Sequence, residues 1–183
     1  VGCSLNTTGK IEHITHTRTM DLIRFQPPMP ENSEELAQKM EELLIDFQVY
    51  HSNLKNIHWN GGLRPFIGLS QKIEYLYRLT GENQEHIADQ MIQLGFEPAR
   101  NAFLSETSLM RTNVSIIQAV QGFEDAIHAI IHTSHELLDS VKEVFYLAAD
   151  MEEKGTMMIM GRLANQLQLA MAIFGGERLA MSN

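Results

Sequence analysis

Histidine and carboxylate side chains on two neighbouring predicted helices have the types and spacing of a transition-metal site. His51 and His58 are seven residues apart, so both lie on one face of the first helix. On the next helix, Glu85 and Asp89 are four residues apart and project from one side, and Glu74 lies about three turns earlier on nearly the same side. Imidazole and carboxylate ligands that face a common interior are typical of non-haem iron sites in helical bundles. The spacing alone leaves a second interpretation open, in which His58 packs at the helix end and the carboxylates are solvated.

A second cluster of three histidines lies on the third predicted helix. His128, His132 and His135 follow the spacing i, i+4, i+7, which places them on one strip beside the apolar face. Three histidines on such a strip can bind zinc, copper or iron when they are shielded from water. The alternative is that they form the polar flank of an interface or a cavity.

Composition disfavours several other kinds of function. The 183-residue chain has a formal net charge of -9, which argues against nucleic acid as the main partner because phosphate binding requires clustered lysine and arginine. Its single cysteine, Cys3, has no neighbouring base in the sequence, and no glycine-rich phosphate loop is present. No stretch approaches the ~18 apolar residues of a membrane span, and no targeting segment is present, so we expect a cytoplasmic protein without a membrane partner.

The periodicity of the apolar residues predicts an all-α, four-helix domain over residues 33–183, preceded by a flexible tail over residues 1–32. The predicted helices run from Asn32 or Ser33 to Asn60, from Pro65 to Gly95, from Val114 or Ser115 to a turn at Glu152–Gly155, and from a Thr156 cap to about Ile173, with Gly175 and Gly176 as a break. The connection 96–113 is too long for a simple turn, so it must cross the bundle or contain a short helix.

Two stretches of the sequence resemble the Dps-type mini-ferritins, which belong to the ferritin-like superfamily. The first is DFQVYHSNLKNIHWN, residues 46–60, and the second is EHIAD, residues 85–89. The likeness continues through Phe66, Leu69, Glu74, Tyr77, Leu94, Gly95 and Pro98, and more loosely through the EKGT of residues 153–156.

The resemblance implies a ferritin-like four-helix subunit, with a long crossover between helices 2 and 3, that assembles as a hollow dodecamer. In that family, ferrous iron binds between two-fold-related subunits, is oxidised, often by hydrogen peroxide, and is stored inside as ferric mineral. His58 matches the family's first histidine ligand, Glu85 the usual aspartate and Asp89 the usual glutamate. Glu74 matches an acidic residue that often supports the second metal.

This sequence departs from the family pattern at the metal ligands. Ser70 occupies the position, twelve residues after His58, where the family has a second histidine. The two carboxylates of the second helix have also exchanged lengths. His51 or His86 could replace the missing imidazole, and we favour His51 because it shares the face of His58. Zn²⁺ could bind at this atypical centre or at the third-helix histidines.

The leading hypothesis is an iron-oxidising and iron-storing mini-ferritin that limits peroxide damage. The alternative is a metal-binding or structural cage with weak or no oxidation, which Ser70 motivates. A monomeric helical interaction module is a third interpretation. We expect no strong binding to DNA, because the tail has only Lys10, Arg18 and Arg24 as cations.

Overall fold

Long helices form all the regular structure in the described part of the chain. The computed structural model describes residues 33–60, 66–98 and 111–181, without the side chains of residues 180 and 181. Its helices are α1 (Ser33–Asn60), α2 (Ile67–Gln93), α3 (Phe123–Asp150) and α4 (Lys154–Met181). Each has 27 or 28 residues and is therefore about 40 Å long. The predicted all-α class is confirmed, and none of these helices is long and apolar enough to cross a membrane.

Contacts between the helices define an up-down-down-up arrangement. α1 is antiparallel to α2, because His58 at the end of α1 contacts Ser70 at the start of α2. α2 is antiparallel to α4, because Lys72 near the start of α2 pairs with Glu177 near the end of α4. α3 and α4 are joined by a turn at 151–153 and pack along each other. α2 and α3 therefore run in the same direction, so their connection must cross the length of the bundle.

Aromatic residues of α1 lie at the centre of the core, which the apolar faces of all four helices form. Phe47 and Tyr50 are almost completely buried. The Ser134 hydroxyl donates to the Ile130 carbonyl at 2.6 Å, so the Tyr50 hydroxyl, also 2.6 Å away, donates to Ser134. Burial raises the pKa of Tyr50 and keeps the phenol protonated. This hydrogen bond joins α1 to α3 inside the core.

Asparagines of α1 hold the last part of the crossover, residues 111–122, in a non-helical conformation. Asn53 accepts a hydrogen bond from the Ile117 backbone N–H at 2.9 Å and donates to the Ser115 carbonyl at 2.7 Å. Asn56 donates to the Ile117 carbonyl at 2.8 Å. These backbone groups therefore bond to α1 rather than to a helix of their own.

The fully buried carboxylate of Asp46 fixes the start of the same segment. One of its oxygens accepts hydrogen bonds from the Thr112 hydroxyl at 2.8 Å and the Asn113 backbone N–H at 2.7 Å. Its other oxygen accepts from the Ser140 hydroxyl of α3 at 2.6 Å. Asp46 consequently joins α1, the crossover and α3.

The predicted start of the third helix at Val114 or Ser115 is wrong. α3 begins at Phe123, directly after Gly122, whose φ of 97° favours glycine and ends the non-helical segment. Ile116, part of the predicted helical stripe, is exposed. The asparagines of α1 satisfy the backbone of this segment, which removes the advantage of extending the helix.

The predicted cap of the fourth helix is also wrong. α4 begins at Lys154, so Thr156 lies within its first turn. The buried Thr156 hydroxyl instead accepts a hydrogen bond from Gln90 of α2 at 3.1 Å. The turn before α4 contains Glu152 with a φ of 56°, in the left-handed region.

α4 continues beyond its predicted end, through the glycine pair 175–176 to Met181. Each glycine costs a helix interior about 1 kcal/mol. Phe174 is buried just before the pair, and Glu177 just after it forms an ion pair with Lys72. These tertiary contacts outweigh the low helix propensity of the glycines.

The bounds of α1 and the end of α2 agree with the prediction. Three other predictions lie outside the described residues: the tail over residues 1–32, Pro65 at the start of the second helix, and a short helix in the crossover. The domain boundary at residue 33 accordingly stays a prediction.

We expect Asp46→Ala to lower the free energy of unfolding by about 3 kcal/mol, because the buried Ser140 hydroxyl of α3 and the Thr112 and Asn113 donors of the crossover would lose their acceptor. Urea unfolding followed by circular dichroism at one protein concentration measures this change. Asp150→Asn, at an exposed position of α3, is the matched control and should change stability by less than ~0.5 kcal/mol. A loss below ~1 kcal/mol for Asp46→Ala would show that other contacts hold the crossover.

Candidate metal site

His58 lies at the end of α1 beside the start of α2. Its partly buried ring has Nδ1 3.3 Å from the Ser70 hydroxyl and is edge-on to Tyr77, with 5.6 Å between the ring centroids. The hydroxyl can accept from Nδ1–H, and that tautomer leaves the lone pair of Nε2 for a metal. Ser70, which stands at the position of the missing histidine, is thus adjacent to His58 in space.

Tyr77 of α2 contacts both histidines of α1. The His51 ring is edge-on to Tyr77, with 5.9 Å between the ring centroids. Seven residues of α-helix span about 10 Å, so His51 and His58 are too far apart to bind one ion together. Within one subunit, His51 therefore does not take the place of the missing histidine, and its role as a ligand stays a prediction.

The Nδ1 atom of His51 is buried and has no hydrogen-bond partner among the described residues. It faces Gly81 of α2, where an added β-carbon would lie 3.9 Å from Nδ1 and 3.7 Å from Cε1. These are ordinary van der Waals distances, so an alanine would fit but would cover the nitrogen with an apolar group. An unpartnered imidazole nitrogen of this kind is suited to bind a metal or a proton.

Burial is the main cause that lowers the pKa of His51, and the nearby Lys55 ammonium lowers it further. A hydrogen bond with the Tyr77 backbone opposes this shift. The Lys55 Nζ lies 5.9 Å from the centre of the Tyr77 ring and 5.7 Å from that of Trp59. The lowered pKa of His51 favours the neutral imidazole, which is the form that binds metals.

The predicted carboxylate ligands lie far from His58 in the same chain. Tyr77 is the α2 residue whose ring contacts His58. Glu85 and Asp89 follow Tyr77 by eight and twelve residues, which corresponds to about 12 and 18 Å along the helix. Both carboxylates and the intervening His86 are exposed. One subunit consequently does not bring the predicted ligands together.

Glu74 lies one turn after Ser70 on the same side of α2. Its carboxylate is 3.9 Å from the Arg78 guanidinium, and both side chains are well exposed. No cluster of three or more histidine, cysteine or acidic side chains that could hold a metal occurs within residues 33–60, 66–98 and 111–181 of one chain. Glu74 is therefore the predicted acidic ligand positioned closest to Ser70 along α2.

The three histidines of α3 share one exposed strip. The His128 and His132 rings are stacked, with centroids 6.2 Å apart. Two of the three face a carboxylate one turn later: His132 lies 3.3 Å from Glu136, and His135 lies 3.5 Å from Asp139. The strip thus has three imidazoles followed by two carboxylates along the helix.

Lys55 and Tyr77 are the site residues that the sequence analysis missed. In the sequence, Tyr77 is only a point of family likeness. Lys55 carried a usable signal, since it lies four residues after His51 and three before His58 and must share their face. Its positive charge lies beside the two histidines at the C-terminal end of α1.

Several solved protein structures resemble this four-helix bundle. No family model matches the chain. The Dps protein of Vibrio cholerae O1, described as a member of a broad superfamily of ferritin-like diiron-carboxylate proteins, has a TM-score of 0.72 at 19% identity, covering 79% of this chain and 89% of that one. This chain has the Dps fold. The predicted ferritin-like bundle with a long crossover is therefore confirmed.

Another solved structure and two sequence relatives resemble this chain over different shares of its length. Antigen TpF1 of Treponema pallidum has a TM-score of 0.70 at 20% identity, covering 79% of this chain and 91% of that one. An uncharacterised protein of Haemophilus influenzae is 29% identical over 124 residues, 68% of this chain and 76% of its own. The DNA protection during starvation protein of Porphyromonas gingivalis is 38% identical over 56 residues, only 31% of this chain and 35% of its own.

The lowered pKa of His51 predicts a pH dependence of stability. Because the folded pKa lies below the ordinary value of 6.5, the unfolded chain binds the proton more tightly. The contribution to stability is complete above pH 6.5 and is lost as the pH falls through the folded pKa.

Urea unfolding at a series of pH values between about 7.5 and 5 measures this effect. We expect His51→Gln to flatten the decline in stability, and His86→Gln, at an exposed position, to leave it unchanged. A His51→Gln profile parallel to that of the unmodified chain would contradict the assignment.

Proposed function

We propose that this chain is a Dps-type mini-ferritin that oxidises ferrous iron and stores ferric iron in a hollow dodecamer. The observation that carries this proposal is the axial separation of His58 from Glu85 and Asp89 on the α1–α2 hairpin. Ligands at separate positions of one subunit can form a complete site only with a second copy. The Dps fold supports this arrangement, because the resemblance implies iron sites between two-fold-related subunits.

A two-fold axis makes the proposed site reciprocal. If His58 of one subunit faces the partner's Glu85 and Asp89, the same axis places the partner's His58 against the first subunit's carboxylates. Each interface therefore contains two sites. Glu74 is a candidate ligand for the second iron position beside each His58, and His86 lies next to Glu85 in the sequence. His51 stays a predicted ligand about 10 Å along α1 from His58.

The ligand chemistry favours iron oxidation. Nε2 of His58 and the carboxylate oxygens of Glu85 and Asp89 would bind Fe²⁺. Anionic oxygen ligands stabilise Fe³⁺ more than Fe²⁺, and the net charge of -9 favours the approach of cations. Two ferrous ions supply one electron each to hydrogen peroxide, which takes up two protons and becomes two water molecules. This paired transfer avoids release of a hydroxyl radical and removes both reactants of oxidative damage.

The proposal also concerns a competing metal ion, DNA binding and the location of the protein. Zn²⁺ accepts the same imidazole and carboxylate ligands, so we expect it to compete with Fe²⁺. The sparse cations of the sequence argue against strong retention of DNA. A cytoplasmic location is part of the same proposal.

One observation favours the alternative function, a metal-binding cage with little or no oxidation. Ser70 replaces an imidazole beside His58, and a hydroxyl 3.3 Å from Nδ1 orients the ring without binding iron itself. The alternative and the leading proposal share the same assembly. They differ in whether hydrogen peroxide oxidises the bound ferrous iron.

Mixed assemblies test whether the site is shared between subunits. His58→Ala subunits and Glu85→Ala/Asp89→Ala subunits should each be inactive alone. Refolded together in equal amounts, half of their two-fold interfaces combine the two types, and each of those has one intact site in two. We therefore expect about one quarter of the unmodified rate of ferric absorbance after anaerobic Fe²⁺ loading and peroxide addition.

Two results would decide against the proposal in different ways. Ferric absorbance of the unmodified protein no greater than a protein-free control would leave the non-oxidising cage. Activity of the unmodified protein without recovery in the mixture would place the site within one subunit.

Ser70→His should restore a second imidazole at the proposed centre. We expect about tenfold tighter ferrous binding, measured by anaerobic titration, because an additional nitrogen ligand would lie beside His58. Ser70→Ala is the matched control and should weaken binding, since it removes the group that orients His58. Equal affinities for the two variants would show that position 70 does not face the metal.

A further inference from the structure

We propose that His128 and His132 of α3 bind Zn²⁺ at a site separate from the proposed iron centre. Their rings are nearly parallel, with an interplanar angle of 26° and centroids 6.2 Å apart. A zinc–nitrogen bond of about 2.0–2.1 Å places each ring centroid about 3.2 Å from the ion, so two rings bound at a tetrahedral angle of about 109° have centroids about 5.2 Å apart. The observed spacing is about 1 Å longer. Rotation of these two exposed side chains closes that difference without a change in the helix backbone, because residues four apart share one face of a helix.

A carboxylate orients one of these two ligands. Nε2 of His132 is 3.3 Å from Oε1 of Glu136. Glu136 is itself fixed by Ser115 of the crossover, whose backbone N–H and hydroxyl donate to it at 2.9 and 2.7 Å. A carboxylate that accepts from one ring nitrogen fixes the tautomer and leaves the other nitrogen, Nδ1, to bind the metal. The ligand is thereby held by tertiary structure rather than by α3 alone.

The pair opens into a cavity of about 280 Å³ that is also lined by Ile131, His135 and Arg178. This space is sufficient for the water molecules that complete a four-coordinate zinc ion. His135 faces Asp139 at 3.5 Å, and the described residues contain no ready-made cluster of three ligands. The site thus has two protein ligands, with water in the remaining positions.

The cavity could instead attract an inorganic anion, because Arg178 contributes a positive charge. The Glu136 carboxylate faces His132 at 3.3 Å, whereas Asp139 is paired with Lys142 at 2.9 Å. Glu136 therefore supplies the negative charge that opposes an anion beside His132, and the lone pairs of neutral imidazoles bind cations. The observations therefore favour a metal over phosphate.

The experiment uses the full assembled chain with Glu85→Ala and Asp89→Ala, which removes ligands of the proposed iron centre. Isothermal titration with Zn²⁺ should show a site that weakens at least about tenfold in His128→Gln and in His132→Gln, and about threefold in Glu136→Gln. Glutamine preserves size and polarity, so these variants separate loss of a ligand from loss of fold. Asp150→Asn, which removes an exposed carboxylate from the same helix, should leave the affinity unchanged.

Zinc affinity that is unchanged in both histidine variants would overturn the proposal. So would stabilisation against thermal unfolding by inorganic phosphate, but not by Zn²⁺, that is lost in Arg178→Gln. A failure of iron oxidation in the unmodified protein would leave these results intact, because the background already lacks the proposed iron ligands.

Discussion

Polar side chains buried along α1 hold the crossover against the bundle, and the histidine strip of α3 is oriented through this contact. Buried polar groups must be satisfied, and here Asp46 and Asn53 obtain most of their partners from residues 112–117 of one non-helical segment. The same segment carries Ser115, which fixes Glu136 and through it His132. One set of hydrogen bonds thus connects the core of α1 with a histidine strip on the surface of α3.

Local signals were sufficient to predict α1 and the end of α2, but not the start of α3. The apolar residues after Asn113 can form either a helical stripe or a non-helical segment packed on α1. The choice depends on Asn53 and Asn56, which lie about 60 positions earlier in the chain. No window of sequence around Val114 contains that information. At the other end of the bundle, burial of Phe174 allows α4 to pass through two glycines that local propensity treats as a break.

The sequence predicts which helix faces carry the candidate ligands, but not how far apart those ligands lie. The family resemblance indicates that His58 and the residue twelve positions later belong to one site, and Ser70 does contact the His58 ring nitrogen. Spacing does not reveal that Tyr77 contacts both histidines of α1. It also gives no relation between His58 and the acidic residues of α2, because in the proposed arrangement that relation depends on a second subunit. The unpartnered nitrogen of His51 likewise arises from packing against Gly81, on another helix.

His58 lies far from Glu85 and Asp89 along the α1–α2 hairpin. This separation determines whether a newly made subunit can be active before it assembles. In the proposed arrangement, a solitary chain carries only halves of two different centres and has no means of turning over iron. Iron oxidation then begins when two chains associate, so the rate at which complete sites form rises with the square of the subunit concentration. Ferric product would form only where a shell is being assembled to enclose it. Oligomerisation would thus prevent iron oxidation by free subunits.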